Sequence, residues 1–128
     1  MKQVIALAQI ILAMGAVSAQ AAEKGNIGKG QKIAEKHCTR CHVVGSFNPG
    51  GGISSTPSFQ LLVKRRPDYK ERFATFYARR PHPAFLSIKG IGRIRPDLPP
   101  NAMPVELTQE DVLDVSAFIE TLKPKKRP

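Results

Sequence analysis

Both cysteines of this 128-residue chain, and two of its three histidines, fall in six consecutive residues: His37-Cys38-Thr39-Arg40-Cys41-His42. No other feature narrows the fold so far. A chain of this length makes one domain with a modest core, and whatever chemistry occupies this stretch uses every thiol available. Four chemistries fit the residue types: a structural disulfide, a thiol redox pair, a zinc site, or a covalently attached haem.

The spacing separates them. A disulfide between Cys38 and Cys41 closes a very small loop, and loop-closure arguments give such a link little stabilising value. A redox pair of the Cys-x-x-Cys kind belongs beside a βαβ pattern, whereas the preceding segment reads as helix and no convincing alternating strand occurs anywhere. Structural zinc takes four ligands, usually as two Cys/His pairs at separate places. There is no second pair, and His82 stands alone. Haem attachment requires Cys-x-x-Cys-His, which Cys38 to His42 supplies directly. On one helical turn Cys38 and Cys41 point the same way, so their sulfurs reach two vinyl groups on one porphyrin edge. His42 follows at once and brings its imidazole beneath the iron. His37 and Arg40 are read as neighbours of this machinery, with Arg40 exposed.

The start of the chain differs from the rest. Lys2 is followed by an apolar run over residues 4–17 and then by Ser18-Ala19-Gln20-Ala21-Ala22. This is the order of a secretory signal peptide, residues 1–21, with cleavage after Ala19 or Ala21. The apolar run is short for a membrane span. The expected mature protein, residues 22–128, is exported and soluble, with no stable membrane insertion. Lys and Arg number 20 against 10 Asp and Glu, a net charge of +10. No nucleic-acid reading module accompanies that charge, so nucleic acid is not an expected partner. A basic surface steered to acidic docking surfaces is the favoured reading.

Helix signals punctuate the mature chain. Asn26 can cap a helix running towards Cys38. Residues 43–56 read as a loop around Asn48-Pro49-Gly50-Gly51-Gly52. Thr56-Pro57 looks like the cap and first turn of a short helix carrying Phe59, Leu62 and Val63, which Pro67 ends. Asp68 can cap the next, where Tyr69, Phe73, Phe76 and Tyr77 make one apolar stripe. Residues 81–104 are rich in Pro and Gly. Thr108 opens a last helix with Asp111 as a capping-box partner, and Pro124 closes it before a basic tail within residues 123–128. The expectation is an all-α domain of several short helices joined by long loops. Wrapping around a large apolar cofactor would account for those loops.

An electron-transfer haem usually takes a second axial ligand, often Met or His. Met1 and Met14 lie in the leader, so Met103 is the sole methionine of the expected mature chain. It sits in Pro99-Pro100-Asn101-Ala102-Met103-Pro104, a stiff loop that can hold a thioether at little ordering cost. His82, in the equally stiff Pro81-His82-Pro83, competes. Ligand precedent favours Met103, and the role of His82 stays open.

With these residues in place, the chain resembles the small class I monohaem c-type cytochromes over residues 28–122. The matching elements are Gly30-Gln31-Lys32-Ile33 ahead of Cys38-Thr39-Arg40-Cys41-His42, then Asn101-Ala102-Met103-Pro104, then the terminal helix. The resemblance implies a cytochrome c fold around one covalently bound haem c per chain. It implies thioether links at Cys38 and Cys41, and axial ligation by His42 and Met103. It also implies a first helix crossing the last where Gly30 permits close approach, with Phe118 packed over it. A proline carbonyl should accept from His42 Nδ1, with Pro57 the candidate ahead of Pro49. Two departures stand out. Ala34 occupies a position that is often aromatic, and tryptophan is absent, which leaves Tyr69, Tyr77, Arg93 or Arg95 to meet the haem propionates. Residues 65–98 match only loosely.

The function expected is a periplasmic one-electron carrier rather than an enzyme, acting as a monomer or as a subunit of a dehydrogenase complex. The alternatives are a haem subunit dedicated to a dehydrogenase, and a ligand-binding or peroxidase-like protein with a labile sixth ligand.

Overall fold

The computed structural model describes residues 24–125. The leader expected over residues 1–21 and the last residues of the basic tail, 126–128, lie outside them. None of the described helices is long and apolar enough to cross a membrane.

Helix α1, Ile27–His37, starts where the Asn26 side chain accepts from Lys29 N at 2.9 Å, satisfying one of the free amides of the first turn. Helix α4, Gln109–Ile119, opens on a complete capping box. Thr108 Oγ1 accepts from Asp111 N at 3.0 Å, and the Asp111 carboxylate accepts from Thr108 N at 2.7 Å. These two helices make the principal packing contact of the domain. A Cβ on Gly30 would overlap the carbonyl of Asp114, so only glycine allows the crossing at this separation. The atoms nearest that point are the backbone of Asp114 and Val115 rather than the Phe118 ring. Phe118 lies one turn further on, in the same buried cluster as the fully buried Ala34. Asp114 is itself buried. Its Oδ1 accepts from Asn26 N at 2.5 Å, tying the start of α1 to the middle of α4.

Helix α2, Phe59–Arg65, is capped by Ser58, whose hydroxyl accepts from Leu61 N at 3.1 Å. The expected start at Thr56-Pro57 is thus displaced towards the C-terminus. Ser58 supplies the first helical carbonyl, bonded to Leu62 N at 3.0 Å, so the carbonyl of Pro57 stays outside the ladder. The helix ends as Arg66 turns extended before Pro67. Helix α3, Tyr69–Ala74, follows Asp68, but the Asp68 carboxylate takes Arg72 Nε at 2.8 Å and caps no amide. The stripe of rings read along this segment is divided at Thr75. Tyr69 and Phe73 are buried in a first cluster with Val44, Phe59, Val63 and Phe118. After a 3-10 turn at Phe76–Ala78, Phe76 and Tyr77 pack on a second cluster instead.

That second cluster adds one short strand pair to the helical domain expected from the sequence. The domain is mostly helical, yet β1, Leu86–Ile88, pairs in parallel with β2, Val105–Leu107, in the register Leu86↔Val105, Ser87↔Glu106, Ile88↔Leu107. Leu86, Ile88 and Leu107 are buried there with Val112 of α4. Three-residue strands are too short for an alternating pattern to declare itself. Their pairing depends on contact between distant segments. Ile33 of α1 touches both clusters.

Candidate functional site

Cys38 caps α1, its N–H bonded to Ala34 O at 2.9 Å. The chain then turns tightly on the Cys38 carbonyl, which accepts from Cys41 N at 3.1 Å and from His42 N at 2.8 Å. This is why both thiols and the imidazole come off one turn. Both cysteines are free. Cys38 packs against the first cluster, and burial pushes its thiol up to about 12, with the neighbouring Cys41 adding to the effect. Burial thus disfavours the thiolate at Cys38.

The loop after the motif holds the turn from outside. Asn48 Nδ2 donates to His42 O at 3.0 Å and Thr39 O at 3.3 Å, while its Oδ1 accepts from Val44 N at 2.8 Å. Ile53 N donates to Cys41 O at 2.9 Å. Gly52 lies at φ +77°, where a Cβ would press on the backbone of Cys41, His42 and Val43. Reading the sequence placed Asn48 only as the centre of a loop. The Asn-Pro-Gly run marks a turn but does not say what the amide grips.

His42 Nδ1 lies 2.7 Å from Pro57 O, the carbonyl that the displaced start of α2 leaves outside the helix. A carbonyl only accepts, so Nδ1 carries the proton and Nε2 keeps its lone pair. The ring meets Phe59 edge-on at 5.3 Å between centroids. His82 repeats the arrangement from the other part of the chain. It begins a 3-10 turn, His82–Ala84, between Pro81 and the buried Pro83. Its Nδ1 lies 2.9 Å from Arg79 O, so again Nε2 is left with the lone pair. Phe76 stands edge-on at 5.6 Å, and Phe85 is tilted at 5.9 Å. Burial pushes the pKa of both rings down; the Pro57 carbonyl opposes it at His42, and the Arg79 and Phe76 carbonyls oppose it at His82. The centroids of His42 and His82 are 6.2 Å apart and their planes 7° from parallel.

The structure therefore gathers Cys38, Cys41, His42 and the Pro57 carbonyl, and sets His82 against His42. Met103 is placed elsewhere in character: it is 72 % exposed, in the stretch just before β2. His37 is half-buried at the end of α1, and Arg40 is exposed between the cysteines. Of the residues expected to meet propionates, three have other partners. Tyr69 donates to Glu120 at 2.8 Å. Arg95 grips Asp97 at 2.6 and 2.8 Å. Arg93 donates to the carbonyls of Ala84, Pro96 and Leu98 at 2.8 to 3.0 Å. Tyr77 is half-buried against the second cluster.

Among the described residues no three His, Cys, Asp or Glu side chains converge as a metal-holding group, so the four-ligand zinc arrangement is not built here. Two free thiols beside a His42 ring whose Nδ1 is held by the Pro57 carbonyl fit a haem: the thiols would bond its edge and Nε2 could meet its iron. Residues 27–123 match the family model for cytochrome c. No curated protein and no solved structure matches the chain.

Proposed function

Because this chain belongs to the cytochrome c family and carries haem c, we propose that it is an exported, soluble one-electron carrier of the periplasm. The observation that carries this reading is the attachment turn: free thiols at Cys38 and Cys41 beside a His42 whose Nδ1 is held by Pro57 and whose Nε2 is left to bind. When bound, the haem supplies reversible exchange of one electron between ferric and ferrous iron. Cys38 and Cys41 would each add a thiol across a vinyl group of the haem, sulfur bonding one vinyl carbon and the thiol hydrogen going to the other, so the link would need no oxidant. It keeps the cofactor on the chain in both oxidation states. The Pro57 carbonyl fixes the His42 ring and raises its basicity.

Carriage is favoured over ligand binding because the His82 ring stands parallel to the His42 ring at 6.2 Å between centroids, where it could close a second iron position. The methionine ligation expected from the sequence would require the 72 % exposed Met103 to turn inwards. Arg40 is exposed between the attachment cysteines, with Lys36 exposed on the preceding turn. Positive charge beside the haem edge would orient an acidic redox partner.

The test is expression of the full chain in a host that attaches haem in its periplasm, then stopped-flow electron exchange with an acidic redox protein. Covalent haem, fast exchange and a rate that falls steeply with added salt are expected. Turnover of peroxide outrunning electron exchange would overturn the carrier reading.

A further inference from the structure

We propose that His82 is the second axial ligand of the haem iron, opposite His42 and with the two imidazole planes parallel. This deepens the carrier reading and rests on haem being attached at Cys38 and Cys41.

The separation of the rings is the first argument. Parallel rings with centroids 6.2 Å apart gain little from each other, since carbon–carbon contact is best at about 3.5–4.0 Å. A spacing of this size has another natural cause. Metal–imidazole bonds are about 2.0–2.1 Å long and each ring centre lies about 1 Å behind its nitrogen, so two rings sharing one ion have centroids about 6 Å apart.

Proton placement is the second argument. Each Nδ1 is committed to a backbone carbonyl, Pro57 for His42 and Arg79 for His82, which leaves each Nε2 as the donor. Fixing one ring nitrogen so that the other binds metal is how ligating histidines are usually oriented.

The third is preorganisation. Pro81 and the buried Pro83 flank His82, Phe76 bounds its ring, and Arg93 holds the Ala84 carbonyl. A side chain so bracketed loses little freedom on binding. Met103 also lies in a proline-stiffened loop, but its side chain is exposed and lacks such packing. Imidazole in place of thioether gives a lower reduction potential than a His/Met pair would.

The test uses the full-length holoprotein and the variants Met103→Ala, His82→Ala and His82→Met. In the ferric wild type we expect a low-spin spectrum without the near-infrared sulfur-to-iron charge-transfer band. Its paramagnetic resonance should be the resolved rhombic pattern of parallel imidazoles. Met103→Ala should leave spectrum and potential unchanged. His82→Ala should become high-spin, bind carbon monoxide when reduced, and return to low-spin with added imidazole. His82→Met should gain the sulfur band and a higher potential. A sulfur band in the wild type that Met103→Ala abolishes would overturn the assignment, as would a high-spin wild type or a low-spin His82→Ala. If His82→Ala does not fold, the wild-type and Met103→Ala spectra decide alone. Haem that stays with the chain through acid–acetone extraction while the sulfur band is present defeats this ligand only. Haem that extracts freely defeats the carrier reading, and this assignment with it.

Discussion

The two sides of the histidine pair are built differently. His42 belongs to a continuous run in which α1, the attachment turn and the loop to Pro57 follow one another, and α4 closes over them through Gly30 and Asp114. His82 belongs to a region, residues 75–107, with 3-10 turns, one strand pair and few buried side chains of its own. Two bonds between distant segments hold it, Val105 N to Phe85 O at 2.9 Å and Lys89 N to Leu107 O at 2.8 Å, and Arg93 adds local ones to three nearby carbonyls. The first side draws its stability from packing, the second its geometry from hydrogen bonds. A carrier benefits from this division, because attachment can survive changes that retune the iron.

Removing the attachment chemistry should have the largest effect. Cys38→Ser with Cys41→Ser should abolish covalent haem altogether, read as loss of haem stain on a denaturing gel. Next, Phe118→Ala should cost about 3–5 kcal/mol of stability from the helical core, measured by urea unfolding of the holoprotein, while the visible spectrum of the folded fraction stays as in wild type. Arg93→Ala should cost less, about 1.5–3 kcal/mol for charged hydrogen bonds lost, yet open the iron to added imidazole or carbon monoxide. If Arg93→Ala destabilised as much as Phe118→Ala and left ligand access unchanged, the proposed division would break. Thr108→Ala, losing one cap bond, should cost about 1 kcal/mol, seen as a small shift in the unfolding midpoint with no change at the iron.

Legibility in the sequence followed the same division. The caps at Asn26 and Thr108 and the Cys-x-x-Cys-His turn are local signals, and the structure carries each of them; the need for glycine at position 30 came from the family resemblance, and the structure carries it too. The segment between Thr75 and Leu107 was harder. Its strands are three residues long, its ring stripe breaks at Thr75, and Arg93, which looked like a propionate partner, is occupied by backbone carbonyls. Asp114 gave no warning either: an acidic residue on the last helix reads as exposed until a close neighbour supplies the Asn26 amide.

By itself, then, the order of residues determined which chemistry the chain can perform, because two thiols and an imidazole at that spacing leave one turn in only one useful arrangement. Which side chain stands parallel to the His42 ring could not be read that way. Met103 and His82 both sit in proline-stiffened loops and are equal as local sequence. Only the parallel pairing of Leu86–Ile88 with Val105–Leu107, and the loop that Arg93 ties down, carries one of them to within 6.2 Å of His42 and leaves the other in the open. The strand pair joins segments too far apart along the chain for a local pattern to encode it.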